Sequence, residues 1–282
     1  MTIVRRNSEI LFIYDAKMTN PNGDMDNENK PRMDYDTDTN LVSDVRLKRY
    51  IRDYYESVKE EEIFVTNKAE NAKQRGEQLK KSNKTHIDLI DVRLFGAVFA
   101  ESGGSDHITG PVQFNWGYSL NPVEINESST ITSSFSSGEG VGKDFRVRYS
   151  VIAFNGSINA LVAKDSNLTE SDVQTFDKAM IESIPYARTR SKIGQYPRIY
   201  LRIELEDKQL LKDLREFVSI DYKSENKYLV RSIDDFTFDF TRLAEYLKDK
   251  PISNIYYWKD DSASINGWDE IKNNFKDKLK RI

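Results

Sequence analysis

The chain contains no cysteine and only two histidines among its 282 residues. The first absence excludes disulfides and thiolate metal sites. His86 and His107 each stand without a second ligand nearby in the sequence, so a metal site built on paired imidazoles is not expected. No apolar run approaches the roughly 20 residues of a membrane span. The opening Met1-Thr2-Ile3-Val4-Arg5-Arg6 also lacks the apolar segment of a signal peptide. A cytoplasmic protein without membrane contact is therefore expected. An excess of positive charge is absent too: the net charge is −4, which argues against a surface coated with nucleic acid and leaves room for local basic clusters.

What is present suits a core-forming chain, with 38% hydrophobic and 31% charged residues. Residues 8–16 form a short apolar run, which predicts a buried central strand. Residues 63–65 predict a short strand, and residues 67–84 a polar surface helix or mobile segment. Residues 87–100 predict a mostly buried helix stopping at Gly103-Gly104. Period-2 alternation predicts strands over 112–120, with Val112, Phe114, Trp116, Tyr118 and Leu120 on the apolar side, and over 145–151 and 199–205. An amphipathic helix is expected over 169–184, capped by Thr169 or Ser171. Further helices are expected near 241–249 and 267–281, around a strand at 255–258. Residues 121–143, rich in Ser, Thr and Gly, read as an arm or hairpin. Strand, helix and strand, taken twice, are compatible with an α+β, RRM-like (ferredoxin-like) sheet.

The most informative stretch is residues 20–52. A tight turn, Asn20-Pro21-Asn22-Gly23-Asp24, leads through Pro31-Arg32 into a helix expected over about 41–58. At about 100° per residue, Leu47, Tyr50, Ile51, Tyr54 and Val58 share one side, and Val45, Lys48, Arg49 and Arg52 the opposite one. Three cations are thus expected to point outward. Main-chain N–H groups of Asn22, Gly23 and Asp24 can form an anion-binding concavity. Ser43 or Asp44 is expected to cap the helix, whose start favours anions. A second basic stretch, from Tyr186 to Arg202, holds Arg188, Arg190, Lys192, Arg198 and Arg202 and no acid. Together these suggest a basic groove on an acidic body.

Two look-alike motifs fail. Gly138 to Lys143 resembles a phosphate loop but has Ser137 and Asp144 where glycine and Ser/Thr are required. Asp34, Asp36 and Asp38 resemble the start of a calcium loop, but Thr39 and Val45 stand at the obligatory glycine and acidic positions.

The ordered motifs resemble those of a known family. Asn20-Pro21-Asn22-Gly23-Asp24, Pro31-Arg32, the segment Val42 to Arg49, Asp91-Val92-Arg93-Leu94-Phe95-Gly96-Ala97 and Thr109-Gly110-Pro111-Val112-Gln113 look like the backbone subunit of type I CRISPR surveillance complexes (Cascade), in the RAMP superfamily. Ser191 to Arg198 resembles the type I-B branch. The resemblance runs from residue 10 to about 205. It implies an RRM-like palm (about 1–58, 106–116 and 144–282), inserted fingers (59–105) and a thumb hairpin (117–143). It implies a non-catalytic scaffold with no cofactor, metal or catalytic residue. Its implied partners are CRISPR RNA, other copies of itself, the large, small, end-capping and guide-processing Cascade subunits, and the target DNA strand.

Carried over by position, the implied guide-contacting residues are Asn20, Asn22 and Gly23 in the turn, Ser43, Val45, Lys48, Arg49 and Arg52 on the helix, and Arg188, Arg190, Ser191 and Lys192 in the basic segment. Arg32 and Gln113 are added as contacts, with an internal salt bridge or turn hydrogen bond as the equal alternative. Ile131 and Phe135 are the expected apolar wedge of the thumb. Guide sequences vary, so such a protein must read phosphate and 2′-hydroxyl groups. Two rivals remain: an RNA-guided RNase using Asp24, Asp26, Asp34 or Asp36, and a stand-alone RRM-type binder with exposed sheet aromatics, for which Tyr14, Tyr149 and Tyr200 are the candidates.

Overall fold

The computed structural model describes residues 2–101, 104–126, 130–132, 141–206 and 208–282. Its central strand is β1 (Ser8–Thr19), longer at its C-terminal end than the apolar run predicted. The other elements that position the site are β2 (Thr39–Val42), α1 (Asp44–Ser57), α2 (Ala72–Lys81), α3 (Ile90–Phe95), β3 (Val112–Phe114), β4 (Gly117–Ser119), β5 (Val147–Ile158), α4 (Glu170–Tyr186), β6 (Gln195–Leu205) and β7 (Ile252–Lys259). The sheet runs Leu279–Arg281, β7, β6, β1, β5, β4, β2, Met33–Asp34, with β3 also paired to β5. All of these pairings are antiparallel except that of Leu279–Arg281 with β7. Both outer strands are short, and Lys280 and Arg281 are exposed on one of them.

β1 shows no polar/apolar alternation because both of its faces are buried. Ile10, Phe12, Tyr14 and Ala16 join the core made with Leu47, Tyr50, Ile51 and Tyr54 of α1 and Val173, Phe176 and Met180 of α4. Leu11 and Ile13 join a second core with Leu214, Phe236, Phe238, Phe240 and Ile271 from the C-terminal part of the chain. The last 75 or so residues thus supply β7 and the outer strand Leu279–Arg281 of the sheet as well as the layer that seals its other side. Tyr14, Tyr149 and Tyr200 are consequently buried, at 0%, 2% and 0% exposure. The exposed sheet aromatics of a stand-alone RRM-type binder are not at these positions.

α4 begins where its sequence said it would. The Thr169 hydroxyl accepts from Asp172 N at 3.2 Å, and the Asp172 carboxylate accepts from Thr169 N at 3.0 Å. Asp177 lies under the sheet and accepts from Arg202 Nε at 2.8 Å, Arg202 Nη2 at 2.7 Å and the Tyr200 hydroxyl at 2.7 Å. This bidentate pair welds α4 to β6.

Several expectations are corrected. Residues 87–100 are a 3-10 turn (His86–Asp88), then α3, then the strand Gly96–Glu101 paired with Gly104–Thr109. The helix stops early because Gly96 takes φ +75°, and an added Cβ there would sit 2.1 Å from Ile108 O. Residues 63–65 form no strand; Phe64 N and Val65 N donate instead to the buried Asp91 carboxylate at 2.7 and 3.1 Å. The strand expected over 112–120 is split into β3 and β4. Phe114 opposes Gly156 while Tyr118 opposes Ala153, so four steps on one strand face three on the other, and the extra residue makes a bulge. The helices near 241–249 and 267–281 are shorter than expected, at Thr241–Leu247 and Trp268–Asn274.

Asp177→Ala would leave the Arg202 guanidinium, 3% exposed, without its carboxylate. Urea unfolding of that variant is expected to show a loss of about 3–5 kcal/mol, the usual effect of breaking a buried pair. A change below about 1 kcal/mol would show that the pair does not hold α4 to the sheet.

Candidate nucleic-acid interface

Three segments distant in sequence meet at the C-terminal end of β1. Lys17 N donates to Gly194 O at 2.8 Å, and Asn20 N to Ser191 O at 2.9 Å. The Lys192 ammonium donates to Asn20 O and, at 3.1 Å, to Pro21 O. Asn22 Oδ1 accepts from both Ser43 N and Ser43 Oγ at 2.8 Å, tying the turn to the start of α1. Gly23 leaves room for the Asn29 amide: a Cβ there would lie 2.0 Å from Asn29 Oδ1 and would displace that side chain. Asn20 Nδ2 donates to Asn29 O at 2.7 Å, while its buried Oδ1 has no partner within the protein.

Ser43 occupies the N-cap position of α1 but makes no side-chain cap, contrary to expectation, because its hydroxyl is committed to Asn22. Arg46 N and Leu47 N donate instead to the Ser43 carbonyl, at 3.1 and 3.3 Å.

The outward cationic face is also corrected. Val45 is exposed, at 64%. Lys48 is 7% exposed; its ammonium bridges Asp44 Oδ2 at 3.0 Å and Gln113 Oε1 at 2.9 Å. Arg52 turns inward, with Nε 3.2 Å from Asp91 Oδ2 and its guanidinium 5.2 Å from the Phe95 ring. Arg49 is half-buried and paired with Asp53 at 2.6 Å. A helical wheel gives angles about one axis; it cannot show that Gln113 and Asp91 pack beside that axis. Gln113 is exposed, but its carbonyl holds Lys48 and its amide donates to Gly110 O at 2.8 Å, so the internal alternative describes it. Arg32 likewise pairs with Asp24 at 3.1 Å.

The acid-free stretch from Tyr186 to Arg202 is not free of acids in space. Arg198 meets Asp15 at 2.8 Å and Asp260 at 2.9 Å, and Arg202 meets Asp177. The basic surface narrows to Arg188 and Arg190, both exposed, with Ser191 and Lys192 beside them. Two cations missed in the sequence belong here. Arg46 lies 4.1 Å over the Tyr50 ring, and its buried Nε has no hydrogen-bond partner in the protein. Arg146 donates to Met18 O at 2.8 Å and Arg190 O at 3.3 Å, and it shares the Asp144 carboxylate with Arg190, at 2.8 and 3.4 Å. Arg46 lay within the recognised helix motif, but the wheel assigned it to neither face; Arg146 had no signal beyond strand alternation. Ile131 sits in a hairpin pairing Thr130–Thr132 with Val141–Lys143. Phe135 lies outside the described residues.

Fold and surface together define an α+β protein with main-chain donors and cations gathered at one end of its central sheet. Residues 6–241 match the family described as CRISPR-associated protein Cas7. A curated relative of that description from Haloferax volcanii is 33% identical over 294 residues, covering 88% of this chain and 84% of the relative. The chain belongs to the Cas7 family of CRISPR-associated proteins. Two solved chains share its fold at TM-score 0.54 and 92% coverage. One is from a CRISPR RNA-guided surveillance complex in a pre-nicking state, at 12% identity, and the other from a CRISPR RNA-guided surveillance complex, at 17%. They match over 95% and 94% of their own lengths.

Burial, reinforced by Arg46, brings the Lys192 ammonium down from its ordinary 10.5 to about 7. The unfolded chain then holds this proton more tightly, so its contribution to stability is lowest below pH 7 and rises as pH climbs from about 7 to 10.5. Burial raises Glu9 from 4.5 to about 7, so its contribution is lost as pH climbs from 4.5 to about 7, below the window of Lys192. Thermal unfolding of the wild type and Lys192→Met is therefore compared between pH 7 and 10. The wild type is expected to gain stability relative to the variant as pH rises. A constant difference would show that Lys192 is an ordinary charged surface lysine.

Proposed function

We infer that this protein is the non-catalytic backbone subunit of a type I, I-B-like Cascade complex, and that copies of it polymerise along one CRISPR RNA, holding the guide's backbone for pairing with target DNA. Family membership is the observation that carries this reading. Its partners are the guide, further copies, the remaining Cascade subunits and the target strand. The sheet, with β6, β1, β5 and β4 in that order and α1 and α4 on one face, supports a ferredoxin-like, RRM-like palm. Residues 59–105 are proposed as the fingers and 117–143 as the thumb, with Ile131 and Phe135 as its wedge.

The guide contacts fall into two proposed groups. Gly23, Arg32, Val45, Arg49, Arg188, Arg190 and Ser191 face the RNA. Asn20, Asn22, Ser43, Lys48, Arg52, Gln113 and Lys192 hold the main chain that faces it. This division suits a protein that must accept any guide sequence, because sequence is left to base pairing.

Mass photometry with and without a full-length CRISPR RNA tests the scaffold. Multimers whose mass is set by RNA length are expected, and a stable 1:1 complex would overturn the polymer. Arg188→Ala with Arg190→Ala should weaken binding of all guide sequences alike. It should also flatten the slope of log affinity against log salt by about 1.4, at roughly 0.7 for each lost single-strand phosphate contact. Sequence-dependent losses would count against backbone reading.

A further inference from the structure

Trp116 stands where sequence alternation predicts burial, yet it is 43% exposed. The cause is the bulge between β3 and β4. Before it, Val112 and Phe114 point into the core; after it, Gly117 and Ser119 are the buried residues. One extra residue has changed the phase of the strand and turned an indole out to solvent. Gly117 makes the tight return possible, since a Cβ there would lie 2.5 Å from the Phe154 ring.

Isolated exposed apolar residues are common on protein surfaces. This one has a fixed mount. Trp116 O accepts from Arg215 Nη1 at 2.6 Å, and Trp116 N donates to Asn115 Oδ1 at 2.8 Å. Asn115 N donates to Asn155 O at 3.0 Å. Arg215 is itself 4% exposed, bound to Asp213 and laid 4.3 Å over the Tyr118 ring. A buried arginine from the C-terminal layer thus anchors the main chain of an outward-facing tryptophan.

Beside the indole lies a cation already paired with a carboxylate, Arg32 with Asp24 at 3.1 Å; the five N–H donors of a guanidinium allow it to bind a phosphate as well. The Arg32 guanidinium lies 5.8 Å from the ring centroid, and Arg32 N donates to Asn22 O at 3.0 Å. The tryptophan is therefore continuous with the turn that meets α1. A rigid aromatic surface next to a cation fits a nucleotide, with the indole for the base and the guanidinium for its phosphate.

We propose that Trp116 is a stacking platform for an unpaired base of the guide strand, with Arg32 beside it for that nucleotide's phosphate. The inference rests on the guide-binding reading and adds a base contact to it. Stacking suits variable guides because every base has a π-face.

The test titrates wild type, Trp116→Ala and Trp116→Phe with a guide-length RNA and with an abasic ribose-phosphate strand of equal length. Circular dichroism serves as the check of folding. Trp116→Ala should bind the RNA about tenfold more weakly, Trp116→Phe should recover most of the loss, and the abasic strand should bind all three alike. Equal losses on both strands, or none on either, would overturn the proposal. Unchanged RNA affinity with failed multimer formation would overturn it in favour of a contact between copies. A wild type that binds neither strand would instead defeat the guide-binding reading beneath it. In a second arm, guide preassembled with protein receives an abasic substitution in the DNA target only; sensitivity of Trp116→Ala confined to that strand would reassign the platform to the target and overturn the guide assignment.

Discussion

The constraint on which the structure depends is the burial of both faces of β1. A strand with helices on one side and the C-terminal layer on the other has no free face for a ligand. The sheet aromatics are core residues, and polar chemistry is displaced to the strand ends and their loops. That displacement explains why the proposed interface is assembled from the turn after β1, the start of α1 and the segment before β6. It also gives the C-terminal part of the chain a definite role: it completes the core, and through Arg215 it reaches the bulge beside the site.

Internal bonds to carboxylates, amides and carbonyls take up much of the charge first expected on a nucleic-acid surface. Lys48, Arg52 and Lys192 are cations from recognised motifs, yet each is bonded within the protein. Asp91, 1% exposed, joins α1 to residues 64 and 65 by accepting from Arg52, Phe64 N and Val65 N. A motif can be functional through such bonds, because main-chain donors must be held still before they can grip a phosphate.

The central strand was legible in the sequence because a short, nearly continuous apolar run is the pattern of a strand covered on both faces. Thr169 and its capping partner marked the start of α4. The ordered motifs marked the turn and α1 as one unit, which the bonds between Asn22 and Ser43 establish. The rest was hidden for physical reasons. Gly96 ends a helix by a backbone angle that its neighbours do not announce. Arg52 turns inward toward a carboxylate from another helix. Trp116 obeys its alternation until one bulged residue reverses it. The C-terminal layer follows ordinary core rules and left no motif, so its position became visible only in the folded chain.

The sheet ends in a two-residue strand, Met33–Asp34, on one edge and a three-residue strand, Leu279–Arg281, on the other. Short and charged margins offer little template for another strand. A subunit that assembles on a template has reason to avoid spontaneous fibre growth, since edge-to-edge addition has no natural stop. On the scaffold reading proposed above, blunted margins would leave the count of subunits to the length of the nucleic acid, which would act as a molecular ruler.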